Sequence, residues 1–188
     1  MKKNRVADLE IALRSELPMA LFKPFMQQVE RIVNHPQLLG WDQLQPTAAA
    51  GLRYLQQSGL RTVLVTLRHP RQVEAFLKEH ELEDLVDDIF GMADVNAAHR
   101  NRAEQKCELL SDAIATQKAQ GYCTQHSWMI GDTEADIIAA QTMGISAAAL
   151  SCGVRSENSL ASLTPTAMYD GLLSATREVV EAIAWKAA

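Results

Sequence analysis

The clearest chemical signal is the segment MIGDTEAD, residues 129–136, in which two carboxylates stand four residues apart. An apolar run leads into Gly131-Asp132, and Asp136 follows one helical turn later, so both carboxylates can face one point. Carboxylate oxygens beside the end of a strand are ligands that Mg²⁺ accepts in proteins. The segment therefore predicts a metal site with Asp132 as a ligand and Asp136 as a second candidate. An alternative stays open, in which the residues around Asp136 only cap a helix and complement its dipole.

Two further side chains could hold a phosphate group. Thr66 ends the apolar run RTVLVT, where its hydroxyl could donate a hydrogen bond to a phosphoryl oxygen. Lys106 lies in AEQKCELL, a stretch that opens a helix, and an ammonium there could neutralise a phosphate. Taken singly, each residue also has a structural explanation: Thr66 as a strand residue facing the core, and Lys106 as a solvated helix lysine.

The residues around these side chains alternate short apolar runs with helical segments. The pattern predicts strands at 61–67, 88–92, 127–130 and 146–150, and helices at 47–57, 71–79, 103–120, 134–143 and 174–185. This alternation favours an α/β fold with a mainly parallel sheet and helices on both faces. Ligands of such sheets bind at the carboxyl ends of the strands. We therefore expect Thr66 and Asp132 at the same edge of the sheet.

The first part of the chain has a different pattern. Apolar residues recur at helical spacing over residues 6–33, and we expect Pro18 and Pro24 to break this helical segment into two or three pieces. His35-Pro36 and Leu44-Gln45-Pro46 are typical of turns. A domain boundary is therefore predicted near residue 45.

Composition excludes several classes of protein. The chain combines 47% hydrophobic residues with a net charge of −5, so it can bury a core and has no basic surface for nucleic acid. Its three cysteines form no Cys-x-x-Cys pair, which argues against a disulfide framework or a zinc site and suits the cytoplasm. No apolar run approaches the roughly 20 residues that cross a bilayer. We expect a cytoplasmic protein with neither nucleic acid nor membrane as a partner.

Residues 46 to about 185 resemble the haloacid dehalogenase family of phosphatases, particularly its phosphoglycolate phosphatase-like branch. The resemblance is carried by four stretches: PTAAAGLRYLQQSGLRTVLVT, LEDLVDDIFGMADV, GDTEADIIAAQTMGI and SCGVRSENSL. They are similar to the family's phosphate-binding strand, the helix and strand after it, its acidic metal-binding motif, and its closing glycine loop. The resemblance implies a Rossmann-like, three-layer fold over residues 46–188, preceded by a helical cap remnant over residues 1–45.

The resemblance also implies roles for single residues. Thr66 and Lys106 occupy the family's catalytic, phosphate-binding positions, and Asp132 occupies its Mg²⁺-binding position, with Asp136 as a second candidate. Leu67 stands where many relatives have Asn. Arg68 is the residue that could compensate for this change as an additional phosphate ligand.

One motif of the family is not found in residues 1–188. The family's nucleophile is the first Asp of an Asp-x-Asp pair after an N-terminal strand, and the second Asp acts as acid and base. Before Thr66 the chain has only Asp8 and Asp42, and neither follows a β-branched strand or has an Asp two residues on. In the family this strand lies between the Thr66 and Asp132 strands. We therefore expect a sheet whose central first strand is missing.

Two functions are compatible with this reading. In the first, the protein is related to hydrolases but is catalytically impaired, a pseudoenzyme that serves as a binding or scaffold module and binds Mg²⁺ weakly or not at all by itself. In the second, it is a Mg²⁺-dependent phosphomonoesterase of a small phosphorylated metabolite, with Asp-x-Asp supplied by upstream sequence or a partner chain. We favour the first. The candidate partners are a phosphorylated small molecule and a protein segment or second chain that completes the sheet.

Overall fold

The structure is a computed structural model and describes residues 8–32 and 40–187. The helices in these residues are α1 (Asp8–Arg14), α2 (Phe22–Ile32), α3 (Ala48–Gln57), α4 (Pro70–Glu79), α5 (Ala97–Arg100), α6 (Ala103–Ala119), α7 (Glu134–Thr142), α8 (Glu157–Ala161) and α9 (Leu172–Ala187). The strands are β1 (Val63–Val65), β2 (Asp88–Phe90), β3 (Trp128–Gly131), β4 (Ser146–Leu150) and β5 (Ala167–Tyr169). Short 3-10 helices lie at Met19–Leu21 and Glu83–Leu85.

The strands form two parallel sheets. β1 pairs with β2, with Val65 opposite Phe90, while β3, β4 and β5 pair in that order, with Gly131 opposite Ala149. Each parallel pair is connected through a helix, as parallel pairing requires. The α/β fold with parallel strands is therefore confirmed.

The two sheets are separated between β1 and β3. The Thr66 amide donates to the Phe90 carbonyl across the β1–β2 pair, so the backbone groups of Val63 and Val65 point to the other side of β1. No strand of the described residues pairs with that side, and β3 pairs only with β4. Val65 and Met129 nevertheless share one hydrophobic cluster. The gap therefore lies where the sequence predicts a missing central strand, and we call it the split.

Helices pack on both faces of the larger sheet. On one face α6 packs against α7, and Leu110 and Ile137 join Met129 and Ala149 in the main core. On the other face α9 contacts all three strands and packs against α3. An added Cβ at Gly51 of α3 would lie 2.8 Å from a side-chain carbon of α9. The alanines of β4 are almost fully buried, and their small side chains allow both helix layers to lie close to the sheet.

Residues 8–32 form two helices and a 3-10 turn, in line with the two or three pieces expected, but the helix is not broken at Pro24. The chain leaves α1 before Pro18, which precedes a 3-10 turn. Pro24 instead lies within the first turn of α2, where its missing N–H has no helical partner to lose. The turn predicted at His35-Pro36 lies outside the described residues. The boundary near residue 45 stays a prediction.

No helix in the described residues has the length and apolar character that a membrane crossing requires.

Candidate functional site

Lys106 reaches from α6 to the carboxyl end of β1. Its Nζ donates to the Val65 carbonyl oxygen at 2.6 Å and lies 2.9 Å from Asp136 Oδ1. Lys106 is 8% exposed and Asp136 6%, so a buried cation has a buried carboxylate as its partner. Thr66 follows Val65 directly. The structure therefore brings Thr66, Lys106 and Asp136 together at the rim of the split.

Asp136 uses both of its carboxylate oxygens within the protein. Oδ1 pairs with Lys106, while Oδ2 accepts from the Thr133 amide at 3.1 Å and from the Thr133 hydroxyl at 2.8 Å. The capping role left open from the sequence is thus present. The metal-binding role of Asp136 stays a prediction.

Asp132 lies at the end of β3, beneath the loop that follows β4. Its Oδ2 accepts from the Val154 amide at 2.7 Å. A Cβ added at Gly153 would lie 2.0 Å from the same oxygen, so the loop backbone lies directly on the carboxylate. Within the described residues, Oδ1 has no hydrogen-bond partner. Asp132 can therefore offer one carboxylate oxygen to a ligand.

Thr66 and Arg68 form a turn after β1. The Thr66 hydroxyl oxygen accepts from the Arg68 amide at 3.2 Å, and no acceptor for the hydroxyl proton lies among the described residues. The Arg68 side chain turns to the N-terminal part of the chain, where its Nη1 lies 2.5 Å from Asp42 Oδ2. The phosphate-binding role of Arg68 stays a prediction, and a phosphate group would compete with Asp42 for this guanidinium.

A buried ion pair beside Asp132 has no counterpart among the residues singled out from the sequence. Glu134 accepts from Arg155 Nε at 2.6 Å and from Asn101 Nδ2 at 2.9 Å. Burial alone would raise the pKa of Glu134. The hydrogen bonds from Arg155, from the backbone amide of Glu134 and from Asn101, together with the charge of Arg155, outweigh burial and hold the pKa below its usual value. The sequence indicates only a capping role for Glu134 and none for Arg155. A signal was nevertheless present, because both residues belong to stretches that resemble the family.

The side chains at this site do not by themselves provide a full set of ligands for a metal ion. The described residues contain no group of three or more His, Cys, Asp or Glu side chains placed to hold a metal ion. Asp132 Oδ1 is the oxygen that could meet Mg²⁺. This ion commonly binds through one or two carboxylates together with water and phosphate oxygens. The site therefore suits Mg²⁺ only when a phosphate group and water complete the ligand set.

Comparison with known proteins bears on the family and on the fold. Residues 13–150 match the family of haloacid dehalogenase-like hydrolases. A phosphoglycolate phosphatase from Vibrio vulnificus (strain CMCP6) is 27% identical over 152 residues, and the match spans 81% of this chain but only 60% of that protein.

Two solved structures have a similar fold. A haloacid dehalogenase-like hydrolase from Streptococcus pneumoniae superposes with a TM-score of 0.67 at 19% identity, covering 92% of this chain and 76% of that one. A hydrolase of the same superfamily, subfamily IA, from Geobacter sulfurreducens gives a TM-score of 0.61 at 12% identity, covering 93% and 74%. At these identities the likeness shows the fold alone.

Proposed function

We propose, for a chain that belongs to the haloacid dehalogenase-like hydrolase family, that residues 1–188 bind a phosphorylated small molecule without hydrolysing it. The observation that carries this proposal is the gathering of Thr66, Lys106 and Asp136 at the rim of a split into which no strand of the described residues brings an attacking carboxylate. The Thr66 hydroxyl donates to one phosphoryl oxygen, and the Lys106 ammonium balances the charge of the group. The name of the Vibrio vulnificus relative favours a small phosphorylated acid as the ligand.

The carboxylates near the split are poor candidates for a nucleophile. Asp136 pairs with Lys106, Glu134 with Arg155, and Asp42 with Arg68. A carboxylate held by a cation in this way is less available to attack phosphorus. Asp132 has no cation partner among the described residues, but its Oδ2 is held by the Val154 amide and its Oδ1 is the oxygen proposed for Mg²⁺. Hydrolysis of phosphate monoesters is among the slowest uncatalysed reactions, so losing the attacking group removes most of the rate. Mg²⁺, when bound, supplies positive charge to the phosphoryl oxygens.

A phosphatase assay with an aryl phosphate and Mg²⁺ tests the proposal. We expect no turnover above background, but binding of inorganic phosphate that Thr66→Val weakens by about tenfold, the effect of one lost hydrogen bond to a charged group. Thr116→Val, on α6, serves as the matched control. Turnover that Asp132→Asn abolishes would instead make residues 1–188 an enzyme and sink the proposal.

The split favours a second candidate, a phosphomonoesterase completed by a further strand. Such a strand would pair with β1 and β3 and bring Asp-x-Asp to Thr66, and a partner chain or upstream sequence could supply it. A direct test fuses an apolar strand ending in Asp-x-Asp to the N-terminus and repeats the assay. Turnover with Asp-x-Asp, and none with Asn-x-Asn in its place, would favour this candidate.

We also propose a cytoplasmic location. It rests on Cys107, Cys123 and Cys152, none of which forms a disulfide. Labelling of these thiols in intact cells by a membrane-permeant reagent, but not by an impermeant one, would support it.

A further inference from the structure

Arg155 joins the loop after β4 to the start of α7. Its Nε lies 2.6 Å from Glu134 Oε2, and its Nη2 donates to Oε1 at 3.2 Å. The side chains of Arg155 and Glu134 are only 12% and 7% exposed. A two-point contact between guanidinium and carboxylate fixes both distance and orientation, and partial removal from water strengthens it. The Arg155–Glu134 pair therefore anchors the loop after β4 at residue 155.

The same loop fixes the orientation of Asp132. The residue before Arg155 donates its amide to Asp132 Oδ2 at 2.7 Å. The glycine before that lies so close to the carboxylate that a Cβ there would overlap Oδ2, at 2.0 Å. Oδ2 is thus held by the loop, and Oδ1 is the oxygen left for a ligand. The direction in which Asp132 presents Oδ1 depends on where the loop lies.

Glu134 also accepts a hydrogen bond from Asn101. Asn101 Nδ2 donates to its Oε1 at 2.9 Å, and Asn101 adopts a left-handed conformation with φ of 45° at the turn before α6. Glu134 therefore links two segments: the loop that touches Asp132 and the turn that precedes the helix of Lys106. Because Glu134 is held by both segments, it can keep the loop after β4 in a constant position.

We infer that Arg155 is a positioning residue. Its pairing with Glu134 holds residues 153–155 against Asp132 and so fixes the orientation in which the Asp132 carboxylate meets a divalent cation. This inference rests on the proposed function of Asp132. Arg155 acts on the cation indirectly, through the loop backbone that contacts Asp132, since its own side chain pairs with Glu134. Groups that orient a metal ligand typically change metal affinity about 10- to 100-fold when removed.

The test compares Arg155→Met, which keeps much of the side-chain length but loses the pair, with Arg155→Lys. Arg177→Met, an exposed arginine of α9, is the matched control. Mg²⁺ affinity is measured by calorimetry in the presence of inorganic phosphate, and exchange of the Val154 amide is followed by NMR. We expect Arg155→Met to weaken Mg²⁺ binding about tenfold and to speed Val154 exchange by at least about tenfold. Arg155→Lys should recover part of both, and Arg177→Met should change neither.

The two readouts separate failure of the inference from failure of the proposed function. Unchanged Val154 exchange in Arg155→Met would overturn the inference, because the loop would then not depend on the pair. Faster exchange with unchanged Mg²⁺ affinity would overturn it as well, because the loop would then not act on the ligand. An unaltered protein that binds no Mg²⁺ with phosphate present would refute the role of Asp132 in binding and with it the positioning role. Val154 exchange would still report whether Arg155 holds the loop.

Discussion

At the scale of single residues, Gly131 shows how closely the site is packed. A methyl group added there would lie 2.3 Å from Asp136 Cγ and 2.4 Å from Oδ2. The side chain of Asp136 therefore lies directly on the backbone at the end of β3, where it can reach Lys106. In GDT, the glycine provides the space that this carboxylate occupies.

Replacing this glycine should be costly. We expect Gly131→Ala to lower the free energy of unfolding by about 3 kcal/mol, because the methyl group must displace a buried, paired carboxylate. Gly121→Ala is the control: its φ of 89° is strained for alanine, but an added Cβ meets nothing within 4 Å. There we expect a loss of about 1 kcal/mol. Urea unfolding measures both, and equal losses would contradict the packing argument.

The buried pair of Lys106 and Asp136 gives a second prediction. Lys106→Met should cost about 3–5 kcal/mol, because it leaves Asp136 charged, buried and without its cation. Lys118→Met, at an exposed position of the same helix, should cost less than about 0.5 kcal/mol. Adding Asp136→Asn to Lys106→Met should remove part of the loss. A lysine at position 106 that is dispensable for stability would refute this account.

The sequence was informative about which residues lie together, but not about which atoms they use. The sequence predicts Thr66 and Asp132 at one edge because parallel strands end on one side, and the contacts of Lys106 with the Val65 carbonyl and with Asp136 lie at that end of β1. The division of Asp136 between Lys106 and Thr133 depends on side-chain distances of a few tenths of an ångström. A spacing of four residues cannot specify those distances.

At the scale of elements, three segments meet at the amino end of β1. Asp88 Oδ2 accepts from Arg61 Nη2 at 2.9 Å and from Gln117 Nε2 at 2.7 Å. These contacts join the residues before β1 to β2 and α6. The hydrogen bonds from Gln117 and Arg61 hold the pKa of Asp88 below its usual value.

This lowered pKa gives a pH dependence with a defined sign. Since the carboxylate is favoured in the folded state, its contribution is fully present above the unfolded pKa, about 3.9, and is lost as the pH falls through the lower folded value. We expect Asp88→Asn to be less stable than the unaltered protein at pH 7 and to lose less stability between pH 5 and pH 3. Thermal unfolding across this range measures both slopes. Asp112→Asn, at an exposed position of α6, should retain the slope of the unaltered protein.

The long elements were predicted close to their bounds, whereas the short strands were predicted with longer bounds or missed. The helix predicted at 103–120 corresponds to α6, and the strand predicted at 146–150 has the same bounds as β4. β5 was missed, because Ala167–Tyr169 is too short to show a period and pairs only with β4. β1 is shorter than the strand predicted at 61–67, because only the central residues of that run, Val63–Val65, pair with β2.

At the scale of the whole molecule, the separation of the two sheets is the main departure from a continuous sheet. It was predictable because the sequence offers strands on both sides of the gap and none for the middle. Its internal arrangement was not predictable, since it depends on how β1 and β3 pack across the cluster that contains Val65 and Met129. A sequence pattern carries no information about that distance.

Amide exchange can detect the open side of β1. The Thr66 amide is bonded to β2, and the alternation of a parallel pair directs the Leu64 amide the same way. We therefore expect slow exchange at Leu64 and Thr66, and exchange at least about tenfold faster at Val63 and Val65, whose amides face the split. Equal protection at all four amides would mean that a further strand is paired with β1.

The hydrogen bond from Lys106 to the Val65 carbonyl has a consequence for any strand that enters the split. An incoming strand would offer its own amide to the lone pair of this carbonyl that lies in the plane of the sheet, and it would displace the ammonium if the ammonium occupies that lone pair. A strand that displaces the Lys106 ammonium from the Val65 carbonyl leaves the ammonium with one hydrogen bond fewer. A phosphoryl oxygen beside Thr66 can then accept that hydrogen bond. Pairing of a strand with β1 would then increase the affinity for the phosphate group, and phosphate binding would equally favour pairing of the strand, because two linked binding equilibria affect each other reciprocally.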